Sequence, residues 1–294
     1  MNGSTHAYFF AIGSSVCFSA ASLIFAEISR KISSLWMNVF KVLIAWLCFG
    51  LATALWGEWA SISAPQFGAL AASGTLGLGL GDIFLLYAYS RIGAARTLIL
   101  YGFQPLFVAF AAKIFLNQEI SWRIALAVVL CIGCLVTFSM ERFKRDGHWE
   151  VIGLVAAILG VLLDNSGLLL SRWTFDHAPE MTALQANRIR CSGAIVFFVA
   201  LGSVKNLGLA SGWRRLGGKG RGLAILASFL GTFFSLSLYL TAVKLGNLAS
   251  ISALAGAGPI ISSALESLYL RKWPSFYLLL SLALFITGFL VLTV

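Results

Sequence analysis

Charge is what this sequence has least of. Only 11% of its 294 residues are Asp, Glu, Lys or Arg, against 59% apolar, and the mean hydropathy is +0.90. A soluble domain of this size carries roughly 25% charged residues, so a water-facing globular surface is excluded. Carboxylates are the scarcer sign, 11 Asp and Glu against 21 Lys and Arg. His6, His148 and His177 fall near ends or in connections. There is no phosphate-binding Gly-x-x-x-x-Gly-Lys loop, no Gly-x-Ser-x-Gly elbow and no His-Glu-x-x-His helix. Nothing here points to an enzyme, and neither a cofactor nor a metal is expected. The five cysteines (Cys17, Cys48, Cys131, Cys134 and Cys191) lie in apolar stretches and read as small hydrophobes. No soluble module exists to present a basic patch, so the net charge of +10 is not read as a nucleic-acid footprint.

What the sequence does have is apolar blocks of about 20 residues, the length that crosses ~30 Å of hydrocarbon. They predict an all-α integral membrane protein with ten transmembrane helices, at roughly 7–28, 33–56, 66–90, 94–116, 121–139, 150–173, 180–203, 222–244, 248–270 and 275–293. The first block lacks a basic leader and is too long for a signal sequence, so it reads as a retained span. Eight tryptophans, Trp36, Trp56 and Trp59 among them, fall at or beyond span ends, as an interfacial belt would. Lysines and arginines gather in the odd-numbered connections, which places those in the cytoplasm and both termini outside.

The chain also repeats itself. Arg91-Ile92-Gly93 is echoed by Lys244-Leu245-Gly246, Pro105 by Pro259, and Ser121 by Ser275, at intervals of 153 to 154 residues. Asn38-x-x-Lys41 is echoed by Asn187-x-x-Arg190, 149 residues later. Five spans per half is an odd number, so the halves, 1–145 and 146–294, are expected to be two inverted five-helix repeats with a site between them. Pro105 and Pro259, the two prolines deep in spans, are expected to kink their helices around a shared cavity.

A charge at mid-bilayer costs about 3 kcal/mol or more unless it faces protein or water. The deep ionisable residues are therefore the candidates for function: Lys41, Asp82, Asp164, Arg188 and Arg190. A structural reading pairs Asp82 with Lys41, and Asp164 with Arg188 or Arg190. A functional reading has them line a hydrated cavity, where Lys41 and Arg190 take equivalent places in the inverted halves. Asn38 and Asn187 share those helices. Asp82 and Asp164 are the carboxylates deep enough for proton coupling.

Several ordered motifs resemble the drug/metabolite transporter superfamily in its ten-span, EamA-type branch. They are Ala88-Tyr89-Ser90-Arg91-Ile92-Gly93-Ala94-Ala95, Gln104-Pro105-Leu106-Phe107 and Asn117-Gln118-Glu119-Ile120-Ser121. In the second half Thr241-Ala242-Val243-Lys244-Leu245-Gly246 and Gly258-Pro259-Ile260 answer them. Gln118 replaces the usual glycine before the acid, and Arg271-Lys272-Trp273 replaces the second Gly-Glu pair. The resemblance implies secondary transport of a small solute by alternating access, with a cavity formed mainly by spans 1, 3, 4, 6, 8 and 9. It makes Tyr101 and Tyr239 candidate contacts. The partners expected are a small-molecule solute, the lipid bilayer and a coupled proton or counter-solute, in a monomer or homodimer of a bacterial inner membrane. Small polar metabolites, amino acids or related zwitterions, suit a cavity with both signs of charge. Exchange of anionic or phosphorylated metabolites, and export of lipophilic drugs, are the alternatives.

Overall fold

The computed structural model describes residues 3–56, 59–92, 94–101, 104–117, 119–146, 151–256, 258, 260 and 275–293. Pro259, Gly93, Gln118 and residues 271–273, used in the comparison of the halves, lie outside them.

A backbone in hydrocarbon has no water to bond, and a helix satisfies it within one segment. Every regular element among the described residues is accordingly helical. In order they are α1 (Gly3–Lys31), α2 (Ser34–Trp56), α3 (Ala64–Ile92), α4 (Ala94–Tyr101), α5 (Gln104–Leu116) and α6 (Trp122–Asp146). The second half holds α7 (Val151–His177), α8 (Ala183–Val204), α9 (Leu209–Arg215), α10 (Gly218–Leu245), α11 (Leu248–Ala255) and α12 (Phe276–Thr293). Among the described residues six helices, α1, α2, α3, α7, α8 and α10, are long and apolar enough to cross a membrane. Start signals act where they occur. Thr182 Oγ1 accepts the Gln185 N–H at 3.1 Å to open α8, and Asn247 Oδ1 accepts the Ala249 N–H at 3.0 Å to open α11.

Two helices depart from regular α geometry at matched places. A π-helical stretch runs over Thr75–Gly81 in α3 and over Phe229–Phe234 in α10, starting 154 residues apart. A π-turn shifts the backbone ladder by one residue and leaves a carbonyl to be met otherwise. The Asn38 amide donates to the carbonyls of Leu78 and Gly79, each at 3.0 Å. The Asn187 amide does the same for Leu236 in α10, at 3.0 Å.

Glycine sets how closely the helices approach. A Cβ on Gly74 of α3 would lie 1.7 Å from the Arg190 carbonyl oxygen, and one on Gly193 of α8 would lie 2.2 Å from that of Ala71. Without side chains at the crossing, α3 and α8 touch backbone to backbone, the close packing that holds helices together in lipid. α7 also packs on α3, and α1 packs on α10. α2 and α8 run antiparallel, with Trp46 Nε1 donating to Ser192 Oγ at 2.9 Å and Arg188 Nη1 to Thr53 Oγ1 at 3.1 Å. α6 and α12 are antiparallel too, joined by Ser281 Oγ to the Cys134 carbonyl at 3.0 Å and Lys144 Nζ to Tyr277 Oη at 2.9 Å.

One tryptophan breaks the belt pattern. Trp56, Trp59 and Trp122 are exposed as expected, but Trp36 is 1% exposed. Its indole N–H donates to the Leu209 carbonyl at 3.0 Å, and Phe40 stacks on both Trp36 and Trp213. A short helix, α9, offered it an apolar seat, so this span-end residue became an internal anchor.

The Gly74 crossing yields a sign test. Gly74→Ala is expected to lower the melting temperature in detergent, because overpacking costs about 1–3 kcal/mol. Gly68→Ala on the same helix has open space around it and is expected to be neutral or stabilising. Equal behaviour of the two variants would contradict the crossing.

Candidate functional site

Between the halves lies a cavity of about 110 Å³. Its charged lining is Lys41 from α2, Asp82 from α3, Asp164 from α7 and Arg190 from α8. Lys41 and Arg190 each stand seven residues past the first residue of their helix, Ser34 and Ala183, which is about 10 Å along the axis. Neither is at a helix end from which it could easily reach water.

The four charges are held differently. Lys41 Nζ lies 2.6 Å from Asp82 Oδ2, with both side chains nearly buried, and 5.5 Å from the centre of the Phe25 ring. This is the pair expected from the sequence. Arg190 is held by neutral acceptors: Nε donates to Ser73 Oγ at 2.9 Å and Nη1 to Asn187 Oδ1 at 3.4 Å. Ser73 Oγ passes its own proton to the Gly167 carbonyl at 2.6 Å. Asp164 stands close by, beside the bare Cα of Gly77. A Cβ there would lie 3.2 Å from Asp164 Oδ1 and 3.5 Å from Arg190 Nη2. Among the described residues no hydrogen bond or ion pair ties down the Asp164 carboxylate. The anticipated ion pair of Asp164 with Arg188 or Arg190 is therefore not formed. Arg190 is spent on Ser73 and Asn187, and Arg188 sits two residues away, about 200° around the helix.

Tyr101 and Tyr239 both line the cavity. Gln104 Nε2 donates to Tyr239 Oη at 3.4 Å, whereas the buried Tyr101 hydroxyl has no partner among the described residues. Asn38 and Asn187 do not line it; they serve the π-helical stretches instead. Arg188 lies outside it, against Trp46, Thr53 and Trp59. Pro105 is buried, its ring 3.6 Å from where a Cβ of Gly256 would stand, while Pro259 falls outside the described residues. The Ala255 carbonyl, at the end of α11, accepts from Ser15 Oγ at 2.8 Å.

One wall was not anticipated from the sequence. Ser14 and Ser15 from α1 and Thr232 and Ser235 from α10 present hydroxyls to the cavity, Ser14 Oγ lying 3.0 Å from Ser235 Oγ. The signal was present: residues 231, 232, 235 and 239 share one helical face. Leu78, Leu85, Leu98 and Phe18 complete the lining with apolar surface. The arrangement can enclose a small solute, offer it either sign of charge, and pack its apolar part.

Apolar helices around a central polar cavity define a multi-pass integral membrane protein. Residues 5–140 match the EamA-like transporter family, part of the drug/metabolite transporter superfamily. That family is one of membrane transporters. No curated protein is significantly similar to the chain in sequence. Solved structures share the fold. One, described only as the crystal structure of a protein, superposes with a TM-score of 0.75 at 15% identity, over 98% of this chain and 96% of that one.

The Lys41–Asp82 pair makes a double-variant test. Lys41→Met alone strands a buried carboxylate and is expected to cost about 3–5 kcal/mol. Adding Asp82→Leu should recover most of that loss in detergent melting. A double variant no better than Lys41→Met would contradict the pairing.

Proposed function

We propose that the chain is a secondary active transporter that moves small polar metabolites, amino acids or related zwitterions first, by alternating access. The carrying observation is the cavity's charge set. Lys41, Arg190, Asp82 and Asp164 balance in sign, and Asp164 alone of the two carboxylates has no protein partner among the described residues. A zwitterion would set its ammonium against Asp164 and its carboxylate against Nη2 of Arg190, the guanidinium nitrogen not donating to Ser73 or Asn187, in a charge-assisted hydrogen bond. Tyr101, Tyr239 and the hydroxyl wall would complete the contacts, with Asn38 and Asn187 holding the helices that carry them. An exchanger of anionic metabolites would use the same cations, but Asp164 opposes it. Asp82 and Asp164 are the residues on which proton coupling would act; exchange against a counter-solute is the other route.

In this reading the chain crosses the membrane ten times as two inverted repeats, residues 1–145 and 146–294. Support comes from the matched intervals of the π-helical stretches and prolines, and from the antiparallel pairing of α2 with α8 and of α6 with α12, each pair being equivalent helices. Helices related by an axis in the membrane plane run in opposite directions. The basic odd-numbered connections put those loops in the cytoplasm of a bacterial inner membrane. The protein has no enzymatic role in this scheme.

Detergent-purified protein screened against a metabolite panel by thermal shift tests the reading. A bound solute at 100 times its dissociation constant adds about 2.7 kcal/mol. The stabilisation is expected with a zwitterion and is expected to vanish in Arg190→Ala and Asp164→Ala. A solute that stabilises both variants as well as the parent would remove the site from this cavity.

A further inference from the structure

Arg188 is a half-buried cation that the cavity does not use, and its surroundings are built for it. Gly50 on α2 leaves the space its guanidinium fills: a Cβ there would lie 2.8 Å from Nη1. The guanidinium carbon stands 6.0 Å from the centre of the Trp46 ring and 5.5 Å from that of Trp59. The Trp46 ring and the connection that carries Trp59 are both tied to α8. Trp46 Nε1 donates to Ser192 Oγ at 2.9 Å, one turn beyond Arg188. On the other side, Gln185, three residues before Arg188, clips the connection that carries Trp59. Its Oε1 accepts the Ala60 N–H at 3.1 Å and its Nε2 donates to the Ala60 carbonyl at 2.9 Å. The one hydrogen bond to the guanidinium among the described residues is to a neutral hydroxyl, Thr53 Oγ1, at 3.1 Å.

The cage therefore holds a positive charge, gives it two aromatic faces and, among the described residues, supplies no anion. Its outer side is open: Trp59 is 56% exposed, and Leu51 and Leu55 of α2 and Val196 of α8 are exposed apolar residues on the same two helices. Exposed tryptophan marks headgroup level, and a planar fork with spare donors suits a phosphate.

We propose that Arg188 is the phosphate-binding residue of a phospholipid site in the groove between α2 and α8. The lipid's phosphodiester accepts from the guanidinium beneath Trp59, and an acyl chain lies along Leu51 and Leu55. The site is separate from the central cavity and rests on none of the transport reading.

The test uses the full chain in a nonionic detergent, probed by native mass spectrometry and melting temperature. The probes are phosphatidylglycerol, diacylglycerol of the same tails, and inorganic phosphate. Phosphatidylglycerol is expected to stay bound and raise the melting temperature, and the other two are not. Arg188→Gln is expected to weaken its apparent affinity roughly tenfold, about what loss of one charge-assisted hydrogen bond gives. Arg188→Lys keeps the charge without the fork and should fall between. Trp59→Leu, in an exposed connection, should weaken it as well and covers the case in which Arg188→Gln fails to fold. Equal phosphatidylglycerol retention by the parent and the Trp59 and Arg188 variants would overturn the proposal. So would Arg188-dependent stabilisation by inorganic phosphate alone, which marks a free-anion site, or by diacylglycerol, which marks a tail site. Because none of these probes enters the zwitterion assay, failure here leaves the cavity reading standing.

Discussion

The hydrocarbon interior supplies no water, so each polar atom placed there must find its partner within the protein. This constraint explains most of the side-chain chemistry between the helices. Asn38 and Asn187 meet carbonyls at or next to the π-helical stretches, and Ser15 meets the Ala255 carbonyl at the end of α11. Arg172 caps the end of α10 by donating to the carbonyls of Val243 and Gly246. Backbone irregularity is tolerated here because a specific side chain attends each one.

Against that background the unattended groups stand out. Buried polar atoms of Ser29, Tyr89, Asn165 and Ser250 lack partners elsewhere among the described residues, but the Asp164 carboxylate, the Tyr101 hydroxyl and the Thr232 hydroxyl, also without hydrogen-bond partners there, line one cavity. A polar atom left over in lipid is costly, and three around one void indicate a place that solvent or solute fills. The two arginines of α8 illustrate the distinction. Arg190 is held inside by Ser73 and Asn187, while Arg188, on the opposite face, is held by Thr53 and the rings of Trp46 and Trp59.

Much of this was legible from residue type and spacing. The apolar blocks located the six helices long enough to cross a membrane, the rarity of deep charges singled out Lys41, Asp82, Asp164, Arg188 and Arg190, and the Lys41–Asp82 pair followed from their depth. Direction around a helix was harder to read. Arg188 and Arg190 look alike in sequence, and only the packing of α8 between α2 and α3 separates them. The π-helical stretches left no compositional mark beyond glycine, because they arise from how α3 and α10 pack. Trp36 misled for a related reason: its burial depends on α9, which lies far along the chain.

The most direct measurement is counterflow of a labelled zwitterion panel in proteoliposomes, comparing the parent with Asp164→Asn, Arg190→Gln and Arg188→Gln. A transporter built on the central cavity exchanges at least one zwitterion, loses that exchange in the Asp164 and Arg190 variants, and keeps it in Arg188→Gln. Exchange that survives Asp164→Asn and Arg190→Gln unchanged would contradict the assignment of the site.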